Sequence, residues 1–349
     1  MTAENRIRVL VVDDSAIVRK VLTDALSREA DIEVVGTAPD PFVARDKILA
    51  LQPDVLTLDI EMPRMDGVTF LKRLMHYRPM PVIVISSLGT ASSRAAVEAL
   101  EAGAIDVLAK PGGPQSVGDL SLNLASKIRA AKVARLTERA PKGIAPVALP
   151  ASIKQGQPFP ASAVIAMGSS TGGTEAVQKV LMQMPVNCPG ILVTQHIPAV
   201  FSRSFANRLN ELCAIRVREA EDGDNVEPGL ALVAPGNFHM LLQRSLANYR
   251  IEIKDGPLVC YQRPAVDILF HSVARAAGAN ATAALLTGMG SDGAQGMLAM
   301  KKAGARTIAQ DEASCVVFGM PKEAIRLGAV DRVLPLSAIP GAILAEVRR

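Results

Sequence analysis

Val9-Leu-Val-Val-Asp-Asp-Ser15 sets four apolar residues against two acids and a serine. An apolar run that ends in acid and leads into a helical-period segment, here Ala16–Leu26, reads as strand, turn and helix. The pattern recurs. Apolar runs lie at Ile32–Val35, Val55–Leu58, Val82–Ile85 and Val107–Leu108, with helical segments such as Phe42–Leu51 between them. A last helix is expected through Leu120–Ile128. Five βα units predict an α/β domain over 1–130, a doubly wound parallel sheet with helices on both faces.

Residues 131–161 read as a linker. Prolines 141, 146, 150, 158 and 160 preclude a regular helix and favour extended chain. From 162 to 349 the alternation resumes and predicts a second α/β domain with a mostly parallel sheet. It begins with a strand at Ala163–Met167, a Gly-rich turn and a helix near Glu175–Met184. A strand at Ile191–Thr194 and a helix around Phe201–Leu212 follow. Further on, the pattern gives helices at Val266–Ala277 and Ala294–Ala303, strands at Ala281–Leu286 and Thr307–Ala309, and a closing helix at Ile339–Val347. Between Arg216 and Ile253, Asp-Gly and Pro-Gly turns suggest a hairpin region.

Composition narrows the classes of function. The net charge is +4, but residues 131–161 hold 5 Lys/Arg against 1 Asp/Glu, and the flanking regions are close to balanced. Neither domain therefore has the basic excess of a nucleic-acid binder. The cysteines, Cys188, Cys213, Cys260 and Cys315, form no CxxC pair, so neither a zinc site nor a disulfide framework is expected. The first residues, MTAENRIRVLVVDDS, are too charged for a signal peptide. No apolar stretch nears the roughly 20 residues of a membrane span. The expectation is a cytoplasmic protein with no direct membrane insertion.

Asp13 and Asp14 follow the first strand, Asp59 the third; Ser86 ends the fourth and Lys110 the fifth. In a doubly wound sheet these positions meet at the carboxyl edge, where ligands bind. Three carboxylates there repel one another unless a cation neutralises them, and an all-oxygen set suits Mg²⁺. Asp59 would then be a nucleophile that forms an acyl phosphate. Asp after a strand is also a common helix N-cap. The run VLVVDDS…LTLDIEMPRMDG…PVIVISS…AKP resembles response-regulator receiver domains. That resemblance implies phosphorylation of Asp59 by a histidine kinase, Mg²⁺ held by Asp13, Asp14 and Asp59, and phosphoryl contacts from Ser86 and Lys110. One position departs: many receivers carry an aromatic residue three before the lysine, and here it is Val107.

In the second domain, Val164-Ile-Ala-Met-Gly168-Ser-Ser-Thr-Gly-Gly173 runs from strand through tight turn to helix. Gly168-x-Ser170-x-Gly172 has the spacing of a nucleophile elbow, and the frame selects Ser170 over Ser169. A phosphate-cradling loop has the same outline. Of the histidines, His76 belongs to the first domain, His271 to a helix and His239 to a loop. His196 follows the next strand and should lie beside the Ser170 turn. Asp292, in Thr287-Gly-Met-Gly-Ser-Asp-Gly293, could orient the imidazole or simply cap the helix after it. The order Ser…His…Asp is not that of α/β-hydrolases.

GSSTGGTEA, TQHIPAVFSRSFANRLN, EDGDNVEPGLALVAPGNFHM, QRPAVDILFHSVA and LLTGMGSDGAQGMLAMKKAGARTIAQDEASCVVFGMPKEAI resemble the catalytic domain of the chemotaxis protein-glutamate methylesterases, the CheB family. The family more often has Ala where Ser169 stands. The resemblance implies that Ser170 is the nucleophile, His196 the base and Asp292 the orienting carboxylate, with oxyanion contacts from the backbone near Thr171 and Met289. It implies phosphorylation-regulated hydrolysis of glutamyl methyl esters on methyl-accepting chemoreceptors, deamidation of receptor glutamines, and a CheA-like kinase as phosphodonor. No metal is expected in the esterase domain. The tethered, unphosphorylated receiver is expected to inhibit the esterase. The alternative from another class is a noncatalytic effector that binds a phosphate-bearing ligand at the Gly-rich turn.

Overall fold

The computed structural model describes residues 6–87, 89–110, 117–135, 159–245 and 248–348. The chain forms two compact units, Met1–Leu136 and Thr137–Arg349. Most of the expected linker, residues 136–158, lies outside the described residues.

The first unit alternates β1 (Ile7–Val12), α1 (Ala16–Leu26), β2 (Ile32–Ala38), α2 (Pro41–Leu51), β3 (Val55–Asp59), α3 (Gly67–Tyr77), β4 (Val82–Ser86), α4 (Thr90–Ala102), β5 (Asp106–Ala109) and α5 (Val117–Val133). The sheet order is β2-β1-β3-β4-β5, with every pairing parallel. β3 and β4 are buried along their whole lengths. A sheet covered on both faces needs apolar side chains on both, which is why its strands read as continuous apolar runs. The caps sort the acids into roles. Ser15, not Asp13 or Asp14, caps α1 by accepting from Val18 N. Asp40 and Asp66 cap α2 and α3. Asp13 and Asp14 are thus released from the common capping role of acids after strands. α5 continues to Val133, past the expected domain edge at 130.

The second unit contains β6 (Val164–Ser169), α6 (Gly173–Leu181), β7 (Gly190–Gln195), α7 (Ala199–Leu212), β8 (Arg216–Glu219), β9 (Leu230–Val233), β10 (His239–Ser245), β11 (Asn248–Lys254), α8 (Val266–Ala276), β12 (Ala281–Leu285), α9 (Ala294–Lys302), β13 (Arg306–Gln310), α10 (Met320–Arg326), β14 (Arg332–Leu334) and α11 (Ile339–Glu346). Seven strands pair in parallel in the order β14-β13-β12-β6-β7-β9-β8, and β10 and β11 form an antiparallel pair. The expected hairpin region therefore splits. Only β10 and β11, consecutive in sequence, pair antiparallel, and residues 246–247 between them lie outside the described residues. The Asp222-Gly223 and Pro228-Gly229 turns instead lie between β8 and β9, which pair in parallel in the main sheet. Helix α10 and strand β14 are elements that the apolar periodicity did not reveal.

β6 lies inside the sheet, with β7 on one side and β12 on the other. From β6 the chain builds outward through β7, then returns across it to β12. A strand flanked this way marks the crevice where open α/β sheets hold ligands. Among the described residues, no helix is long and apolar enough to cross a membrane.

Candidate active site

In the first unit, Asp13, Asp14 and Asp59 each offer an oxygen within 4.8 Å of the others. Asp13 and Asp59 are buried and Asp14 is exposed. Lys110 Nζ lies 2.9 Å from Asp13 Oδ2 and 2.8 Å from Asp59 Oδ2. Apart from that ammonium, neither oxygen accepts a hydrogen bond among the described residues. Burial pushes the Asp59 carboxyl up to about 6; the Asp13 charge adds to the rise, and Lys110 opposes it. Burial pulls the Lys110 ammonium down, but contacts with Asp59 and Asp13 outweigh it and hold the group above its ordinary value. Ser86 ends β4, buried, beside this cluster in register. The donor set is all oxygen, with two buried oxygens short of partners, and so fits a hard divalent cation such as Mg²⁺.

A folded-state carboxyl raised above its ordinary value binds its proton more tightly than the unfolded chain does. Ionising Asp59 as pH rises through about 6 therefore costs folding stability. Asp59→Asn should raise metal-free stability near neutral pH, by on the order of 1–3 kcal/mol. Mg²⁺ should stabilise the wild type, by about 2.7 kcal/mol at a hundredfold excess over Kd, and more at about pH 8 than at about pH 5, where the proton competes. Thermal melts of the full chain with Mg²⁺ or with chelator check both; a Mg²⁺ effect that Asp59→Asn leaves intact contradicts this site.

In the second unit, three strand ends converge. Ser169 and Gln195 are register partners on β6 and β7, so Ser170 and His196 leave the sheet side by side. His196 N donates to Ser169 O at 3.1 Å. On the other flank, Leu286 N donates to Gly168 O and Ser170 N to Thr287 O at 3.0 Å, which lays the 287–293 loop against the serine. Two glycines make the turn possible. Gly172 has φ +74°, and a Cβ there would meet Val316 at 2.5 Å. A Cβ on Gly288 would meet Ser170 Cβ at 2.7 Å. Ser170, His196 and Asp292 are all buried, at 7%, 5% and 2% exposure.

His196 Nε2 lies 2.7 Å from Asp292 Oδ2. Asp292 Oδ2 also accepts from Val266 N at 2.7 Å, and Oδ1 accepts from Asp267 N at 2.9 Å. A carboxylate can only accept, so all three partners donate to Asp292, and the imidazole meets it with a proton on Nε2; in the neutral tautomer that matches this contact the lone pair is on Nδ1. The sequence left open whether Asp292 caps the helix that follows it. It does not: α9 begins at Ala294, and its N-cap position, Gly293, has no side-chain cap. Asp292 caps α8 instead, whose own N-cap, Ala265, has no side-chain acceptor. The helix N-terminus thus holds the carboxylate that faces the imidazole. Asp267 returns the favour by accepting from Gly296 N in α9 at 2.7 Å. Burial raises the Asp267 carboxyl, and the Asp292 charge beside it adds to the rise.

The other histidines are elsewhere engaged. His239 lies 2.9 Å from Pro257 O through Nε2, and its Nδ1 accepts from Ala265 N at 3.2 Å. Both nitrogens are spent on backbone. His76 stacks edge-on against Tyr77 in the first unit, and His271 lies on α8. Cys260 offers its sulfur within 4.8 Å of Asp267 and Asp292 oxygens. Burial and those two charges raise the thiol, so it is a poor nucleophile.

Sequence reading missed Gln195 and Thr287. Gln195 accepts from Ser169 Oγ at 2.5 Å and donates to Ser170 O and His196 O at 2.9 and 3.0 Å. Thr287 Oγ1 donates to Thr171 O at 3.0 Å and accepts from Val317 N at 3.0 Å. The available signal was a polar residue closing an otherwise apolar strand, as in Ile191-Leu-Val-Thr-Gln195.

Comparison with known proteins decides the family. Residues 165–343 match the model of the CheB methylesterase, and residues 9–119 that of the response regulator receiver domain. The chain belongs to the CheB methylesterase family. It is 57% identical over 343 residues to the protein-glutamate methylesterase/protein-glutamine glutaminase 2 of Syntrophus aciditrophicus, covering 98% of this chain and 100% of that protein. It is 53% identical over 345 residues to the protein-glutamate methylesterase/protein-glutamine glutaminase of Escherichia coli, covering 98% and 97%. The crystal structure of the Thermotoga maritima CheB methylesterase catalytic domain aligns with a TM-score of 0.52 at 38% identity, covering 52% of this chain and 97% of that one. This CheB-family chain thus joins a receiver domain to a methylesterase domain, both α/β.

Proposed function

We propose that the chain hydrolyses γ-glutamyl methyl esters on methyl-accepting chemoreceptors and deamidates receptor glutamines. The observation that carries the proposal is the His196–Asp292 pair beside Ser170 at one sheet edge. The full-length relatives named for these two activities support it.

Ser170 Oγ attacks the side-chain carbonyl carbon, and His196 Nδ1 takes the hydroxyl proton. Asp292 holds Nε2–H and stabilises the imidazolium that forms. The tetrahedral oxyanion faces the backbone at Thr171 and Met289, where a single well-placed donor supplies roughly 3 kcal/mol. Ser170's own amide is committed to Thr287 O and is not one of these donors. The C–O bond to methoxide, or the C–N bond to ammonia, breaks as His196 returns the proton. Water then attacks the acyl-serine with His196 again as base, releasing glutamate and restoring Ser170. No step of this sequence calls on a metal.

The noncatalytic alternative fits less well. A phosphate-cradling turn works through unspent backbone amides. Here Ser170 N donates to Thr287 O, and Gly173 N to Ser170 O at 2.7 Å.

In the receiver, Asp13, Asp14 and Asp59 would hold Mg²⁺, which supplies charge neutralisation for phosphoryl transfer when bound. Asp59 accepts the phosphoryl group from a CheA-like histidine kinase, and Ser86 and Lys110 contact its oxygens. Phosphorylation then raises the esterase rate. One experiment tests both halves: methanol release from methylated receptor membranes by the full chain, with and without a small phosphodonor and Mg²⁺. Release should rise with the phosphodonor, and Asp59→Asn should abolish both the rise and the labelling. Full labelling of Asp59→Asn removes Asp59 from this role. Absence of methanol from a folded, phosphorylated wild type contradicts the whole reading.

A further inference from the structure

Gln195 ends β7 one residue before the base, with 2% exposure. Its carboxamide reaches across to the neighbouring turn. One –NH₂ group donates to two carbonyls, Ser170 O at 2.9 Å and His196 O at 3.0 Å. The opposite end, Oε1, accepts from Ser169 Oγ at 2.5 Å. Both N–H donors and the carbonyl acceptor are thus used, and the planar amide has one orientation that satisfies all three contacts. Turning it over would set Oε1 against two carbonyl oxygens. Space has been cleared for it: a Cβ on Gly173 would lie 2.2 Å from Gln195 Oε1 and 2.6 Å from Ser169 Cβ.

We propose that Gln195 is a positioning residue for the hydrolysis, a buried clamp that fixes the peptide planes after the nucleophile and after the base. The inference rests on the Ser170–His196–Asp292 reading above and adds a group to it. Ser170 O is held from two sides, by Gln195 Nε2 and by Gly173 N at 2.7 Å. A trans peptide is planar, with its C=O and N–H pointing opposite ways. Fixing Ser170 O therefore fixes the direction of the Thr171 amide, on the face assigned to the oxyanion. Fixing His196 O does the same for the plane that leaves the imidazole-bearing residue. Ser169 completes the clamp by meeting a buried acceptor that would otherwise have no donor.

A clamp of this kind acts on the transition state, because the oxyanion and the proton transfer exist only there. Misplacement on the ångström scale costs about 10²-fold in rate. Gln195→Met keeps the length and removes both donors. Gln195→Glu keeps the Ser169 contact and places an oxygen where Nε2 stood. In the full chain, kcat per titrated active site should fall by about 10- to 100-fold in each, with KM within about threefold of wild type. Inhibition by a trifluoromethyl ketone analogue of the glutamyl side chain, which mimics the oxyanion, should weaken in parallel. A folded Gln195→Met or Gln195→Glu with wild-type kcat per active site overturns the proposal, as does a loss confined to the number of active sites. If neither variant folds, Ser169→Ala decides: kcat lower by about threefold with KM unchanged supports the clamp, and an unchanged kcat overturns it. Ser170→Ala is run alongside. If it stays active, the triad reading fails, and that failure is distinct from any result at Gln195.

Discussion

Ser170→Ala should abolish methanol release, with kcat falling by at least about 10³-fold, while Ser169→Ala stays within about tenfold of wild type. The two serines are neighbours in sequence but differ in what they face. Ser169 is the last residue of β6, fully buried, and its hydroxyl is spent on Gln195. Ser170 has left the strand and is tied down through its backbone, its amide donating to Thr287 O and its carbonyl accepting from Gln195 Nε2. It sits where the glycines at 172 and 288 let the backbone fold closely around it. Removing a hydroxyl that only supports the clamp leaves a buried acceptor unpaired, which costs roughly 1–3 kcal/mol of stability and only the few-fold loss of kcat expected of a loosened clamp. The check is kcat on methylated receptor membranes together with urea unfolding of both variants. Equal loss of kcat in the two folded proteins would assign the nucleophile wrongly.

His196→Ala should lower kcat by at least about 10³-fold, and His239→Ala by no more than about tenfold. Both rings are buried, so burial does not separate them. Their partners do. His196 meets a carboxylate with one nitrogen, and in the proposed mechanism the other takes the proton. His239 uses both nitrogens to tie backbone at 257 and 265, a structural role whose loss lowers stability. Steady-state kinetics beside melting temperatures separate the two kinds of damage. A reversed order in kcat would move the base to His239.

The receiver site was legible because its residues stand at the carboxyl ends of parallel strands, and the fold alone brings such positions together. Asp13, Asp59, Ser86 and Lys110 needed no long-range guess. Ser170 and His196 were legible for the same reason, as neighbours on consecutive strands. Asp292 was half legible. Its place after β12 was clear, but its helix partner was not, because the cap it makes spans from 292 to 266 and 267. The bare Ala265 at the start of α8 was the faint sign that another residue must serve those amides. The 216–253 region misled because Asp-Gly and Pro-Gly report a reversal of direction, not which strands then pair. Gln195 was passed over for a different reason. A polar residue closing a strand ordinarily faces solvent, and only the packed neighbour strand turns it inward.

The measurement that bears most directly on the account is the location of covalent modification by a serine-directed fluorophosphonate. The full chain is treated with the reagent, digested and sequenced by mass spectrometry, while methanol release is followed in the same samples. The adduct should fall on Ser170 and rise in step with the loss of activity. His196→Ala should slow its formation by about 10²-fold or more, since the base that activates the hydroxyl is gone. An adduct on Ser169, or complete loss of methanol release with Ser170 unmodified, would contradict the account.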